Sequence, residues 1–276
     1  MRWVQKWFDF YIDASVHVAL AVGALVYLTF MKYGISFNQA VGCSVFYGTI
    51  VSYNFVKYAT IARKYFYMPN SYLRGVQLFS LVCLILFGYY FVQINTSGKI
   101  LLLVASLLTC LYALPLLPGK RNFRSLRSCK TIIVALCWAI LTVLLPLVNA
   151  NLELTGSVWV LFLQRILLVL ALMIPFEIRD VKYDDPRLDT LPQRYGVKGT
   201  KYIGYSILIL FFVLTVFRGV DFEWYMNGLV VSAVGLAILK SEVRQTKYYC
   251  SFWVESIPIL WVMSIFILDM FQLLKR

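Results

Sequence analysis

Residues 157–192 read SVWVLFLQRILLVLALMIPFEIRDVKYDDPRLDTLP. Two signals meet in this stretch. Residues 157–177 form a mostly apolar run, the length a helix needs to cross the ~30 Å hydrocarbon core of a bilayer. Directly after it, five of the chain's thirteen acidic residues (Glu177, Asp180, Asp184, Asp185 and Asp189) fall within thirteen positions. A bilayer-spanning helix that ends in a dense carboxylate cluster places chemistry at one face of a membrane.

Outward from this stretch, eight more apolar runs fit the same template: 14–31, 39–58, 76–94, 100–118, 131–149, 201–217, 225–240 and 253–272. The predicted fold is therefore an all-α polytopic membrane bundle of about nine transmembrane helices, forming a single membrane domain over residues 1–276. Composition agrees: 61% of the residues are hydrophobic and 14% charged, against roughly 45–50% and about 25% in soluble domains. A water-soluble globule, a disordered chain and a collagen are excluded. Trp3, Trp7, Phe10 and Tyr11 recur at helical spacing before the first run, as in a helix lying at the interface. The six cysteines are scattered without a C-x-x-C pair and read as buried filler.

The net charge of +13 reads as a topology signal, with no nucleic-acid partner implied. Of the 26 Lys and Arg, 20 fall at the N-terminus and in the loops after the second, fourth, sixth and eighth runs, five lie on the opposite side, and Arg165 is inside a run. The positive-inside rule then predicts an integral, multi-pass protein with the N-terminus and the acidic and basic loops cytoplasmic and the C-terminus outside.

Three polar clusters share that side. If the sixth helix continues to the residue before Pro186, Glu177, Asp180 and Asp184 lie on one face, where Asp180 and Asp184, helped by Glu177, could hold Mg²⁺ together with a substrate's phosphates. The same acids could instead pair with Arg179, Lys182, Arg187 and Arg194 in a solvated loop. The second cluster is the cationic loop Lys120–Lys130, with Lys120 and Arg121 at its start. It suits either a diphosphate or anionic lipid head groups. In the third, Asn54, Lys57, Tyr58 and Ala62 lie along one face at the end of the second helix. Asn54 and Lys57 there could face an anionic ligand or anchor the helix at the interface.

In this order and on one side of nine helices, the clusters resemble the UbiA-type intramembrane prenyltransferases along essentially the whole chain. The motif D-I-x-D-x-x-x-D followed by Thr-Leu-Pro resembles Glu177-Ile-Arg-Asp180-Val-Lys-Tyr-Asp184, then Thr190-Leu191-Pro192 and Gly196, with Glu in place of the first Asp. The family's tyrosine and Lys-Arg at the end of the fourth helix resemble Tyr112 and Lys120-Arg121, with an insertion between them. The first motif, N-x-x-x-D-x-x-x-D, keeps Asn54 but has Tyr58 and Ala62 where the aspartates belong. The resemblance implies Mg²⁺ held by Asp180 and Asp184, and an isoprenoid diphosphate contacted by Asn54, Lys57, Tyr112, Lys120 and Arg121. It also implies a lipid-lined cavity whose aromatic faces, from Tyr47, Tyr53, Phe55 and Tyr58, guard a developing carbocation.

Three polar residues lie outside those motifs. Arg165, beside Gln164 near mid-span, is a functional candidate by depth or a residue that snorkels outward or pairs with Glu153 or Asp269. Glu255, three residues before Pro258, is a further candidate to line the cavity. His17 reads as a hydrogen-bonded packing residue. Two functions follow from different classes: a prenyl or polyprenyl transferase with a reduced metal site and an unspecified acceptor, or an inactive UbiA-like protein that binds isoprenoid lipid or a partner enzyme.

Overall fold

The computed structural model describes residues 2–64, 70–114, 129–185, 188–216 and 221–273. All regular structure among the described residues is helical: α1 (Arg2–Asp13), α2 (Val16–Lys32), α3 (Gln39–Lys64), α4 (Ser71–Val92), α5 (Thr96–Ala113), α6 (Cys129–Ala139), α7 (Leu145–Asn149), α8 (Gly156–Asp180), α9 (Leu191–Val216), α10 (Asp221–Lys240) and α11 (Ile257–Leu273). π-helical turns at Ile140–Leu144 and Tyr249–Val254 precede α7 and α11. Every predicted span contains helix. Among the described residues, six helical segments are long and apolar enough to cross a bilayer unaided, and the bent pair α1 and α2 makes a seventh if it is one span. The two predicted spans that fall short have local reasons. α3 carries Ser44, Thr49, Ser52, Asn54 and Lys57 among its apolar residues, and the apolar part of α10 is only Trp224–Lys240.

α1 bears Trp3 and Trp7 on its exposed side, while Phe10 packs edge-on against Phe79 and Tyr72 of α4. The chain then bends by 54° into α2, with Ser15 at φ 63°. That left-handed conformation costs a non-glycine residue about 1–2 kcal/mol, so side-chain bonds at Ser15 must hold it.

By Cα packing the chain forms two compact units, Met1–Ser125 with Ile140–Glu153, and Leu126–Ala139 with Leu154–Arg276. In the first, Ala19, Ile50 and Cys83 form a core contact among α2, α3 and α4. Pro146 lacks the N–H that would bond the carbonyl of Thr142 four residues earlier, and Thr29 Oγ1 donates to that carbonyl instead at 2.5 Å. Asn95 caps α5 by accepting from Gly98 N–H at 2.8 Å and ties it to the end of α7 by donating to Val148 O.

In the second unit α8 packs on α6, α9 and α10. Gly204 of α9 allows close approach: a Cβ there would lie 2.9 Å from Ile238 and 3.2 Å from Ile174. α9 starts ten residues before its predicted apolar run, because Thr190-Leu-Pro-Gln193 begins a helix: Gln193 Oε1 accepts from Thr190 N–H at 2.9 Å, one half of a capping box. Gly196, at φ 68° and ψ 172°, then kinks the helix, a conformation open only to glycine.

Candidate functional site

The carboxylates at the end of α8 are gathered by a lysine. Lys130 Nζ, from the first turn of α6, lies 2.9 Å from Glu177 Oε1 and 2.8 Å from Asp184 Oδ2. The three side chains are 13%, 5% and 16% exposed, so this is a largely desolvated ion cluster in which each charge depends on the others. Among the described residues, two of the three ammonium N–H donors serve these carboxylates and the third is not engaged.

The helix does not continue to the residue before Pro186. α8 ends at Asp180, and Tyr183 and Asp184 turn back to bond the Asp180 carbonyl at 2.8 and 2.9 Å. A residue preceding proline is pushed out of the helical region, and the approach to Pro186 tightens into a turn. Asp184 still comes round to Lys130, and Gln193 holds the turn by donating to Asp185 O at 3.2 Å. Asp180 does not join the other two acids. It pairs with Arg179 at 2.7 Å, and Arg179 lies over the Phe176 ring. Of the alternatives open in the sequence, pairing with neighbouring cations is the arrangement found for Asp180, and Arg194 likewise pairs with Asp189 at 2.9 Å.

Asn54, Lys57 and Tyr58 form a second arrangement, within the first unit, on one face of α3. A helix leaves its last carbonyls without intrahelical partners, and these three residues meet the carbonyls at the end of α1. Asn54 Nδ2 donates to Ala14 O at 3.1 Å, Lys57 Nζ to Ile12 O at 3.3 Å and Tyr58 OH to Asp13 O at 3.2 Å. Asn54 also donates to Ser80 Oγ at 2.8 Å and accepts from Ser15 Oγ at 2.8 Å; Lys57 donates to the same hydroxyl at 2.9 Å. These contacts hold Ser15 in its left-handed conformation. They also account for the residue type at position 58, since a carboxylate facing carbonyl oxygens would repel them. Beside the arrangement lies a cavity of about 270 Å³ between α3 and α4, lined by Asn54, Phe55, Tyr58, Val76, Ser80 and Leu84 among others.

The remaining predicted residues are placed separately. Tyr53 is half-buried in the middle of α3, and Tyr112 is half-buried near the end of α5. Lys120 and Arg121 lie outside the described residues, as does the side chain of Asp269. Arg165 is buried at 3% exposure in α8 beside Gln164, which donates to Thr215 Oγ1 at 3.0 Å. Glu255 is half-buried between a π-helical turn and α11. His17 is buried with its Nδ1 2.7 Å from Tyr11 OH. Sequence reasoning counted Lys130 among the loop cations without making it a site residue. The available signal was its position as the last cation before the apolar run 131–149.

These features define a polytopic, all-α integral membrane protein with a lysine-held carboxylate cluster at the end of one long helix. Its fold is that of the UbiA-type intramembrane prenyltransferases. A UbiA homolog from Aeropyrum pernix K1 superposes with a TM-score of 0.65 at 13% identity, over 92% of this chain and 98% of that one. A UbiA homolog from Archaeoglobus fulgidus, bound to GPP and Mg²⁺, superposes with a TM-score of 0.62 at 13% identity, over 92% and 97%. A digeranylgeranylglyceryl phosphate synthase gives 0.56 at 17% identity, over 94% and 98%. No family model matches the sequence, and no curated protein matches it in sequence.

The residues present do not fit a Mg²⁺ cage. Octahedral Mg²⁺ needs oxygen ligands at 2.0–2.1 Å. Here Glu177 and Asp184 are bound to one ammonium and Asp180 to a guanidinium, and no group of three His, Cys, Asp or Glu side chains converges among the described residues.

Proposed function

We propose that this chain is an intramembrane transferase that moves a prenyl or polyprenyl group from an isoprenoid diphosphate to an acceptor, with the Lys130–Glu177–Asp184 cluster as its polar site. The observation that supports this reading most is the ammonium itself, fixed by two largely buried carboxylates and, among the described residues, left with one N–H to donate. In such a transfer the allylic C–O bond breaks and its electron pair leaves with the diphosphate. The acceptor atom bonds to the allyl carbon and gives up its proton. A pre-positioned ammonium stabilises the charge that develops on the departing oxygen and needs no reorganisation to do so. Glu177 and Asp184 orient that ammonium. The resemblance further implies Tyr112, Lys120 and Arg121 as diphosphate contacts and Tyr53 and Tyr58 as aromatic residues near the tail, while Lys57 is engaged by the end of α1. Arg165 and Glu255 are further candidate site residues within the second unit. The loops bearing the cluster face the cytoplasm, as the distribution of Lys and Arg predicts.

A second reading, an isoprenoid-lipid binding or partner protein without turnover, draws support from α3, where Asn54 and Lys57 are committed to the end of α1. Diphosphate release from labelled donors, geranyl to long polyprenyl, separates the two. The transferase reading predicts release by the wild type, reduced about 100-fold in Lys130→Met, on the scale of losing one donor to a developing oxyanion, and reduced also in Asp180→Asn. Absence of release from every donor leaves the binding protein.

A further inference from the structure

We infer that Lys130 is the resident cation of the Glu177–Asp184 pair, standing at the point a divalent metal would take, so that the cluster keeps its charge balance without metal. The inference rests on reading this cluster as the polar site. Its test uses metal alone, so a failed transfer assay and a failed metal test remain distinguishable.

One oxygen from each of two acids in different local structures, Glu177 inside α8 and Asp184 in the turn after it, lies within 2.9 Å of a single nitrogen. Two carboxylates converging on one point, both largely buried, is an arrangement that needs a cation there. An ammonium supplies it with hydrogen bonds of 2.8–2.9 Å, the length of charge-assisted pairs. A magnesium ion at the same point would need those oxygens drawn in to 2.0–2.1 Å. The two cations therefore exclude each other by volume as well as by charge.

The surroundings keep the lysine in place. Lys130 lies in the first turn of α6, which packs on α8. Gln193 pins the turn that carries Asp184, and Arg179 draws off the third carboxylate, Asp180, which would otherwise be a further metal ligand. At positions 58 and 62, where the resemblance calls for two more carboxylates, the chain has Tyr58 and Ala62.

The test is Mn²⁺, as a paramagnetic stand-in for Mg²⁺, titrated into the purified full chain in detergent and followed by the EPR signal of the free ion. Wild type is expected to show no Mn²⁺ binding that Asp184→Asn removes. Lys130→Met is expected to gain one site at least about tenfold tighter than any wild-type binding, because two carboxylates then lie open to a hard cation, and Lys130→Met/Asp184→Asn to lose it again. A wild-type site abolished by Asp184→Asn overturns the inference, as does a folded Lys130→Met protein that gains none. If Lys130→Met does not fold, Lys130→Gln serves in its place, and the comparison of wild type with Asp184→Asn still decides the point.

Discussion

Ser15 Oγ donates to Asn54 Oδ1 at 2.8 Å, and this bond joins the bend between α1 and α2 to the middle of α3. Asn54 makes two more bonds, to Ala14 O and Ser80 Oγ, and is only 4% exposed. Asn54→Ala removes all three and leaves their partners buried. A loss of about 2–4 kcal/mol follows from about 0.5–1.5 kcal/mol per bond plus the cost of orphaned groups. Thermal unfolding in detergent checks it, and an unchanged midpoint refutes the role.

Ser15 combines a left-handed backbone with side-chain bonds, and substitutions separate the two. Ser15→Gly relieves the backbone while losing the bonds to Asn54 and Lys57, so the effects oppose and the net change stays within about 1 kcal/mol. Ser15→Val keeps the strain, adds branching and loses the bonds, costing more than about 2 kcal/mol. The order wild type, Gly, Val in melting temperature is the expected outcome, and Val melting level with Gly contradicts it.

Gly204 is a packing glycine. Gly204→Val drives side-chain atoms into Ile238 and Ile174, which a Cβ already meets at 2.9 and 3.2 Å. Overpacking of this kind costs about 1–3 kcal/mol. Gly204→Ala is expected to cost less, since the nearest atom, Ile238 Cδ1, is the end of a flexible side chain. Unfolding midpoints of the two variants rank the effect.

Within the ion cluster, removing the cation should be worse than removing one anion. Lys130→Met leaves two buried carboxylates without compensation, a loss of about 3–5 kcal/mol, whereas Glu177→Gln leaves Lys130 still paired with Asp184. The double variant Lys130→Met/Glu177→Gln should recover part of the loss, with a coupling of about 1–3 kcal/mol. Purely additive effects would show that the three groups do not act together.

The spans were legible because their signal is local: about twenty apolar residues in a row define a bilayer helix wherever the chain goes next. The bend at Ser15 was not, because it depends on side chains of α3 some forty positions away. The start of α9 was missed for a related reason. Thr190 and Gln193 form a polar helix start that hydropathy does not register. At the site, the sequence picked out Glu177 and Asp184 together but assigned them Asp180 as a companion by helical spacing. The turn before Pro186 broke that spacing, and the true companion, Lys130, comes from another helix. The face of Asn54, Lys57 and Tyr58 was read correctly as one face. Its contacts with the end of α1 required tertiary structure to see.

Recognition of an isoprenoid diphosphate by the lysine-held cluster is open to equilibrium binding without turnover. Radiolabelled geranylgeranyl thiolodiphosphate, which resists turnover, is titrated against the purified chain in the presence of EDTA. Saturable binding by the wild type is expected, weakened at least about tenfold in Lys130→Met through loss of a charge-assisted donor. Absence of saturable binding, or equal binding by the two proteins, would contradict it.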